Sequence, residues 1–264
     1  MSLRVNTNIE AFDAHRNLQS TQMQLSKSMQ KLSSGLRINS AADDAAGLAI
    51  SEKMRSQING TDQAQRNTMD GISLVQTADG AYNEMHSILQ RVRELAVEAQ
   101  NSTLSSSDAA AIDLEVGQLT AELARITSNT QFNGLNALSG TFTLQVGADQ
   151  GAGNQITFTL TAISFTTIGS AKGANAIADV DAAITSVSNA RSTLGAIQNR
   201  LEDTVDNLGV YQENISAAES RIRDVDIAAE TVNFTKLQIL SQSGTAMLAQ
   251  ANQAPNNVLS LLKG

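Results

Sequence analysis

Seven apolar residues spaced seven apart, Val180, Val187, Leu194, Leu201, Leu208, Ile215 and Ile222, draw one stripe through a stretch that holds no proline and only two glycines, Gly195 and Gly209. A heptad row of this length is a coiled-coil seam. It requires another helix along its length. Burying an aliphatic side chain contributes ~1.5–3 kcal/mol, while ordering each backbone residue costs ~1–2 kcal/mol. A single apolar residue per heptad cannot hold a lone helix in water, so the rod must find partners within the chain and, at its ends, in neighbouring subunits. The fold expected is mainly α, a long helical bundle.

Composition fits such seams. The 264 residues include no Cys, no Trp, one Pro and 3% aromatics, and aromatic side chains normally supply much of a compact core's buried area. Small aliphatic residues must carry the packing instead. Without Cys there are no disulfides, thiolate metal sites or cysteine nucleophiles. A net charge of -8 and a pI near 4.8, with Lys and Arg scattered along the chain, oppose a phosphate-binding footprint, so no nucleic-acid partner is expected. No apolar run reaches membrane-spanning length, which predicts no membrane association. Met1 to Glu10 lack a basic region followed by an apolar one, so any export is expected to proceed without a cleaved signal peptide.

Periodicity divides the chain. Residues 3 to 34 predict a helix with Leu18, Leu25 and Leu32 at heptad spacing and Met29 in the adjacent row. Ser40 and Asp43 offer helix-start chemistry, and a second helix is predicted from about Asp44 to Gln100. Its row Ala78, Ala81, Met85, Ile88, Val92, Leu95 and Ala99 steps by threes and fours, which keeps one face apolar. A polar turn, Asn101 to Ser107, precedes a third helix with the stripe Ile112, Val116, Leu119, Leu123 and Ile126. Short connections make these antiparallel neighbours.

From Phe132 the period falls to two. Phe142, Leu144 and Val146, then Ile156, Phe158 and Leu160, alternate with polar residues around a Gly-rich stretch, Gly147 to Gly153. That pattern predicts a β-hairpin, within a tip of about 133–173. Helical patterning resumes near Asn175. Near Arg223 the register slips to Val225, Val232, Ile239 and Ala246, read as a stammer in a continuing coil. Residues 237–264 hold no Asp or Glu and one Lys, Lys263. An end so poor in charge is expected to be covered by partners.

No motif brings catalytic chemistry. His15 and His86 lie on different predicted helices without metal-ligand spacing, and Asp43 and Asp44 read as helix-start or interhelix groups with no nucleophile beside them. Gly147, Gly151 and Gly153 lack the context of a nucleotide loop. The Asn-X-Ser/Thr matches at Asn59, Asn101, Asn214 and Asn233 read as chance. Met23, Met29, Met54, Met69, Met85 and Met247 read as flexible seam filler. No cofactor and no metal are expected.

Longer motifs point to a family. The N-terminal part reads VNTN (5–8), RNL (16–18), LSSGLRINSAADDAAGLAIS (32–51), DGISLVQTADGA (70–81) and LQRVRELAV (89–97), followed by TQFNG (130–134). The C-terminal part reads AAESRIRDVD (217–226), ILSQSGTAMLAQANQ (239–253) and VLSLL (258–262). In this order, over roughly 1–135 and 175–264, they resemble bacterial flagellin, the flagellar filament subunit. The dense matches at 32–51 and 239–253 weigh against a hook–filament junction protein, the alternative in the same assembly. An enzyme with a dispersed site is the alternative from another class, and no titratable cluster in the sequence supports it.

The resemblance implies that 1–40 and about 225–264 pair as an inner coiled coil of the filament, with 44–222 as the surrounding rod domain. It implies a minimal outer region and self-assembly into a helical homopolymer for swimming. It further implies export unfolded through the flagellar type III apparatus, with an export chaperone, cap and hook-associated proteins as partners. Gln90, Arg91, Glu94, Leu95 and Glu115 match the patch recognised by the host Toll-like flagellin sensor, although Glu98 departs from the family's usual Gln. The structural alternative for Arg91 and Glu94 is contact between subunits. Val258, Leu259, Leu261 and Leu262 resemble the terminal segment read by cytosolic flagellin sensors. Because the terminal parts carry too little apolar area to order alone, they are expected to fold when neighbouring subunits bury them.

Overall fold

The computed structural model describes residues 7–165, 168–173 and 175–263, the last ten of these by backbone alone. Helices dominate: α1 (Ile9–Ser34), α2 (Ala45–Ala99), α3 (Ser106–Asn129), α4 (Ala176–Arg223) and α5 (Ile227–Lys263). Between α3 and α4 lie β1 (Gln131–Phe132), β2 (Leu135–Asn136), β3 (Gly140–Gln145) and β4 (Gln155–Leu160). The chain divides into two compact units, one within Met1–Ser56 and Ile215–Gly264, the other Gln57–Asn214.

In the second unit the heptad row of α4 meets the stripe of α2. Val180, Val187, Leu194 and Leu201 are buried in one apolar cluster with Tyr82, Met85, Leu89, Val92 and Leu95. Leu208 is buried beyond the cluster, and Ile215 and Ile222, in the first unit, are half-buried. Cross-links from α4 to α2 fix the antiparallel direction: Arg93 donates to Asp181 at 2.6 Å, Arg191 to Asp79 at 2.9 Å, and Gln212 to Asp62 at 2.7 Å. The Arg93–Asp181 pair is exposed and small in energy and the other two are part-buried; together they set register while the apolar cluster supplies stability. Helix α3 adds buried Ile112, Val116 and Leu123. It starts one residue earlier than its Ser107–Asp108 signal, because Ser105 and Asp108 form a reciprocal capping box.

The hairpin forms as its alternation predicts. β3 and β4 pair antiparallel with Phe142 opposite Phe158 and Leu144 opposite Ile156, the two rings 5.6 Å apart. On the solvent face the hydroxyls of Thr141 and Thr159, and of Thr143 and Thr157, pair at 3.0 and 3.1 Å. The sequence reading missed the second, smaller ladder. β1 and β2 pair across Asn133 and Gly134, both at positive φ (50° and 79°), as the tight primed turn of an Asn-Gly hairpin requires.

Two glycines of α2 seat this tip. A Cβ on Gly71 would overlap Leu144 Cδ1, and one on Gly60 would stand 2.7 Å from Ala148 Cβ and 3.1 Å from its Cα. Asn67 lies between them and donates to the Gln145 carbonyl at 3.1 Å. Tyr82 Oη donates to Leu138 O at 3.4 Å, so the tip descends along α2 as its own numbering rises.

In the first unit α1 and α5 run antiparallel. Asn8 donates to Ala251 O at 2.7 Å, Gly244 faces Leu18, and Ser28 Oγ donates to Glu230 at 2.5 Å. The helix expected from residue 3 starts at Ile9, because Asn8 leaves helical geometry and accepts from Ala11 N–H. Residues 3–6 lie outside the described residues. At the other end Gly35, at φ 72°, donates to Lys31 O and closes α1 with a left-handed cap.

The expected stammer near Arg223 is instead a helix break. α4 ends, Asp224 pairs with Leu36 in a short antiparallel bridge, Arg37 N–H donates to Arg223 O at 2.6 Å and Val225 N–H to Gly35 O at 3.0 Å. Asp226 then accepts from the N–H groups of Ala228 and Ala229, starting α5. The break also changes which residues face inward. The row that packs toward α1 is Glu230, Leu237, Gly244 and Ala251, with Phe234, Ser241 and Leu248 beside it, while Val232, Ile239 and Ala246 of the expected row face outward.

Glycine positions give a two-sided test of this packing. Gly195 lies within α4, and nothing stands within 4 Å of the place its Cβ would take, so Gly195→Ala should stabilise by about 0.5–1 kcal/mol through helix propensity. Gly60→Ala gains the same propensity but must push the Ala148 backbone aside. Thermal unfolding should therefore show a raised midpoint for the first and a lowered one for the second; two raised midpoints would mean that the tip does not rest on α2.

Candidate functional site

Two surfaces are candidates, one in each unit. In the first, the α1–α5 pair carries more apolar residues than its own seam uses. Half-buried Leu18, Leu25 and Leu32 of α1 face α5, whereas Ile9, Phe12, Val232, Ile239 and Leu240 are exposed. Helix α5 therefore carries apolar residues on two sides, and among the described residues of its unit α1 packs against one of them. The seam itself holds a polar contact: Ser28 is buried and donates to the Glu230 carboxylate, which also accepts from Asn233 at 3.2 Å. The Ser28 hydrogen bond holds Glu230 below the usual carboxylate range, with Lys31 adding to the effect.

In the second unit, Gln90, Arg91 and Glu94 stand on the solvent side of α2, and Glu115 on α3. Arg91 donates through Nε and Nη2 to one Glu115 oxygen, at 3.0 and 2.9 Å, and through Nη1 to Glu94 at 3.3 Å. These carboxylates, Glu115 first, raise the guanidinium's pKa further and keep it charged. His86 lies 2.9 Å from the Gln90 amide nitrogen, ring nitrogen to nitrogen, which orients that amide. Leu95 does not share this face. It is 2% exposed and belongs to the core, because it sits in the row that faces α4. Val97, missed in the sequence reading, is an exposed apolar residue on the same stretch of α2; its seven-residue spacing from Gln90 is the signal that places it there.

The remaining motifs are structural. Asp43 accepts from Ser40 Oγ and N–H and from Asn39 N–H, contacts that lower its pKa, Ser40 Oγ contributing most. Asp44 accepts from Gly47 N–H at 2.9 Å, so of the residues read as helix-start groups Asp44 caps α2, while Ser40 and Asp43 bond to each other in the turn before it. Of the six methionines read as seam filler, Met85 is buried and Met54 half-buried; Met23, Met29, Met69 and Met247 are exposed. The side chains of Val258, Leu259, Leu261 and Leu262 lie outside the described residues. Among the described residues no cluster of three His, Cys, Asp or Glu is placed to hold a metal ion. No helix there is long and apolar enough to cross a membrane.

Long helices with uncovered apolar faces define a class of self-associating structural subunits, and comparison with known proteins identifies the family. The bacterial flagellin N-terminal helical region matches residues 5–143, and the bacterial flagellin C-terminal helical region matches 177–262. A flagellin of Halalkalibacterium halodurans is 52% identical over 272 aligned residues, covering 98% of this chain and 99% of the relative. The flagellar filament 33 kDa core protein of Treponema phagedenis is 47% identical, with 98% and 99% covered. The flagellin of Bacillus subtilis is 44% identical, with 99% and 100% covered. The chain belongs to the bacterial flagellin family and is a structural subunit of the flagellar filament, which it builds by self-assembly.

The Ser28–Glu230 contact makes the α1–α5 pair sensitive to acid. A carboxylate whose pKa is lowered on folding stabilises the folded pair above its unfolded pKa, and that contribution is lost as pH falls through the folded value. Amide exchange protection of α5 should therefore decline as pH falls below about 4, the ordinary glutamate range. Ser28→Ala should shrink the part of that decline due to Glu230. An identical pH profile in the variant would show that the bond does not bias the pair.

Proposed function

We propose that α1 and α5 are the assembly helices of this subunit, pairing as the inner coiled coil of the filament through 1–40 and 225–264, while 44–222 form the surrounding rod domain with its hairpin at about 133–173. The observation that carries this reading is the outward apolar row of α5, Val232 and Ile239, on a helix already paired along its opposite side. Further copies of the α1–α5 pair are the natural cover, since the same row on a neighbour offers matching uncharged surface. Val258, Leu259, Leu261 and Leu262 extend that low-charge end. The role is structural, with no reaction catalysed.

Transit is read from the resemblance to flagellins, and the apolar faces of α5 are consistent with it. Apolar faces of this kind would aggregate if folded inside the cell, which favours export of an unfolded chain through the flagellar type III apparatus, held by an export chaperone and joined to the filament beneath a cap, beyond hook-associated proteins. Signal recognition without cleavage belongs to the same reading. Outside the filament, Gln90, Arg91, Glu94 and Glu115 form a charged, exposed face suited to the host Toll-like sensor, with Val97 as its apolar neighbour in place of Leu95. The terminal leucines suit a cytosolic sensor.

A fragment of about 44–222 tests the division of labour. It should remain soluble, helical and cooperative in unfolding, and form no filaments under electron microscopy at concentrations where the full chain does. Tubes of native diameter from that fragment would remove α1 and α5 from the assembly role. For the sensor, Arg91→Ala should leave the unfolding midpoint nearly unchanged, as expected of an exposed ion pair, yet reduce receptor signalling by monomers. Unchanged signalling with a receptor that responds to the wild type would reassign Arg91 to subunit contacts.

A further inference from the structure

Resting on the reading of α5 as an assembly helix, we propose that Met247 is an oxidation site that gates polymerisation: its sulfoxide excludes a free subunit from the filament, and its reduction readmits it. Met247 is 65% exposed, the most exposed of the described methionines, ahead of Met23 (59%), Met29 (54%) and Met69 (48%). Its surroundings also differ from theirs. Seven residues before it, in the same row of α5, stands exposed Leu240, and the neighbouring row holds Val232, Ile239 and Ala246. Met23 is flanked in its row by Arg16 and Gln30, and Met29 is preceded by His15 and Gln22. Met247 is thus the thioether beside the aliphatic row that a second copy must cover, with Lys236 the charged residue near its start.

Among the exposed apolar residues of this surface, Val232, Ile239 and Leu240 are inert to mild oxidants, and sulfur is not. With hydrogen peroxide the sulfur lone pair attacks one peroxide oxygen, the O–O bond breaks, that oxygen stays on sulfur as the sulfoxide, and the second leaves as water after taking the proton. Sulfur is oxidised by two electrons and peroxide is reduced by two. The product is polar, chiral and a strong hydrogen-bond acceptor. Solvated on a free subunit it does little harm. Buried between helices without a donor it carries a desolvation penalty, so the cost falls on whichever sulfoxide a neighbouring copy cuts off from water and from the side chains of Ser243 and Gln250 beside it. Assembled filaments, by covering the sulfur, should protect it.

The test uses the full chain and hydrogen peroxide. Peptide mass spectrometry follows sulfoxide at each methionine, and sedimentation measures the critical concentration for polymerisation. Oxidised wild-type monomer should need a concentration raised on the order of tenfold or more, restored by methionine sulfoxide reductases of both epimer specificities supplied with a dithiol, which gives two electrons and two protons and becomes the disulfide as the sulfoxide oxygen leaves as water. M247L should polymerise normally and remain competent after peroxide. A triple variant M23L/M29L/M69L, which leaves Met247 as the exposed described thioether, should remain sensitive. In preformed filaments Met247 should oxidise more slowly than in monomer.

Loss of assembly by peroxide-treated M247L, or normal assembly of wild type shown to carry the Met247 sulfoxide, would overturn the inference. Equal oxidation rates at Met247 in monomer and filament would overturn it too. The underlying reading fails separately: V232E/I239E that polymerises normally while untreated would show that α5's outer surface is not an assembly face, whatever peroxide does.

Discussion

The contact on which the second unit depends is the burial of the α4 row against α2. Val180, Val187, Leu194 and Leu201 reach the core, and the helices that carry them have no alternative source of order at this length. Aromatic side chains contribute little: Tyr82, Phe158 and Phe165 are the buried ones. Packing therefore depends on many aliphatic residues at close spacing, and close spacing requires small residues at defined places. Gly60 and Gly71 answer that need, since a side chain at either would lift the hairpin tip off α2. The tip is then held by its own apolar face, by Asn67 and by Tyr82, and its Thr ladder faces solvent.

The first unit is built differently. Its seam contains Ser28, Glu230, Ser241 and Gly244 among the aliphatic residues, so α1 and α5 bury less apolar surface per turn than α2 and α4. Polar contacts then specify pairing more than they stabilise it. Ser28 with Glu230 and Asn8 with Ala251 fix direction and register, and the bridge of Leu36 to Asp224 anchors one end. A weak internal seam beside an uncovered apolar face suits a subunit whose final order comes from its neighbours, since binding of copies to the folded pair shifts its equilibrium by mass action.

Regular rows were legible in the sequence, and interruptions were not. Heptad spacing located α2, α3 and α4 within a few residues, and period two located β3 and β4, because both signals repeat over many positions. The break at Asp224–Asp226 was read as a stammer because both a register slip and a helix stop alter the apolar spacing. What separates them is local: Asp226 capping the new helix and Leu36, far away in sequence, pairing with Asp224. The same ambiguity put Val232 and Ile239 on the seam, when they form the outer face. At the charged patch the residue types of Gln90, Arg91, Glu94 and Glu115 marked exposed positions, but Leu95 fell in the α2 core row, which periodicity already contained. The turn at Asn133–Gly134 carried a readable hairpin signal that the family motif TQFNG overshadowed.

The two apolar faces of α5 also explain why its charge is so low. A helix paired on one side and solvated on the other can place Lys and Glu on its outer rows at no cost to stability, as surface helices usually do. Segment 237–264 holds Lys263 as its single charged residue, and its exposed polar positions, Gln238, Gln242, Ser243, Thr245 and Gln250, are neutral. A charge there would have to be desolvated each time a neighbour packs against it, and an uncompensated buried charge costs far more than a lost apolar contact. Low charge, an outer aliphatic row and an inner seam with polar markers are therefore three consequences of one requirement: the helix must pair in one register within the subunit and remain able to pack again outside it.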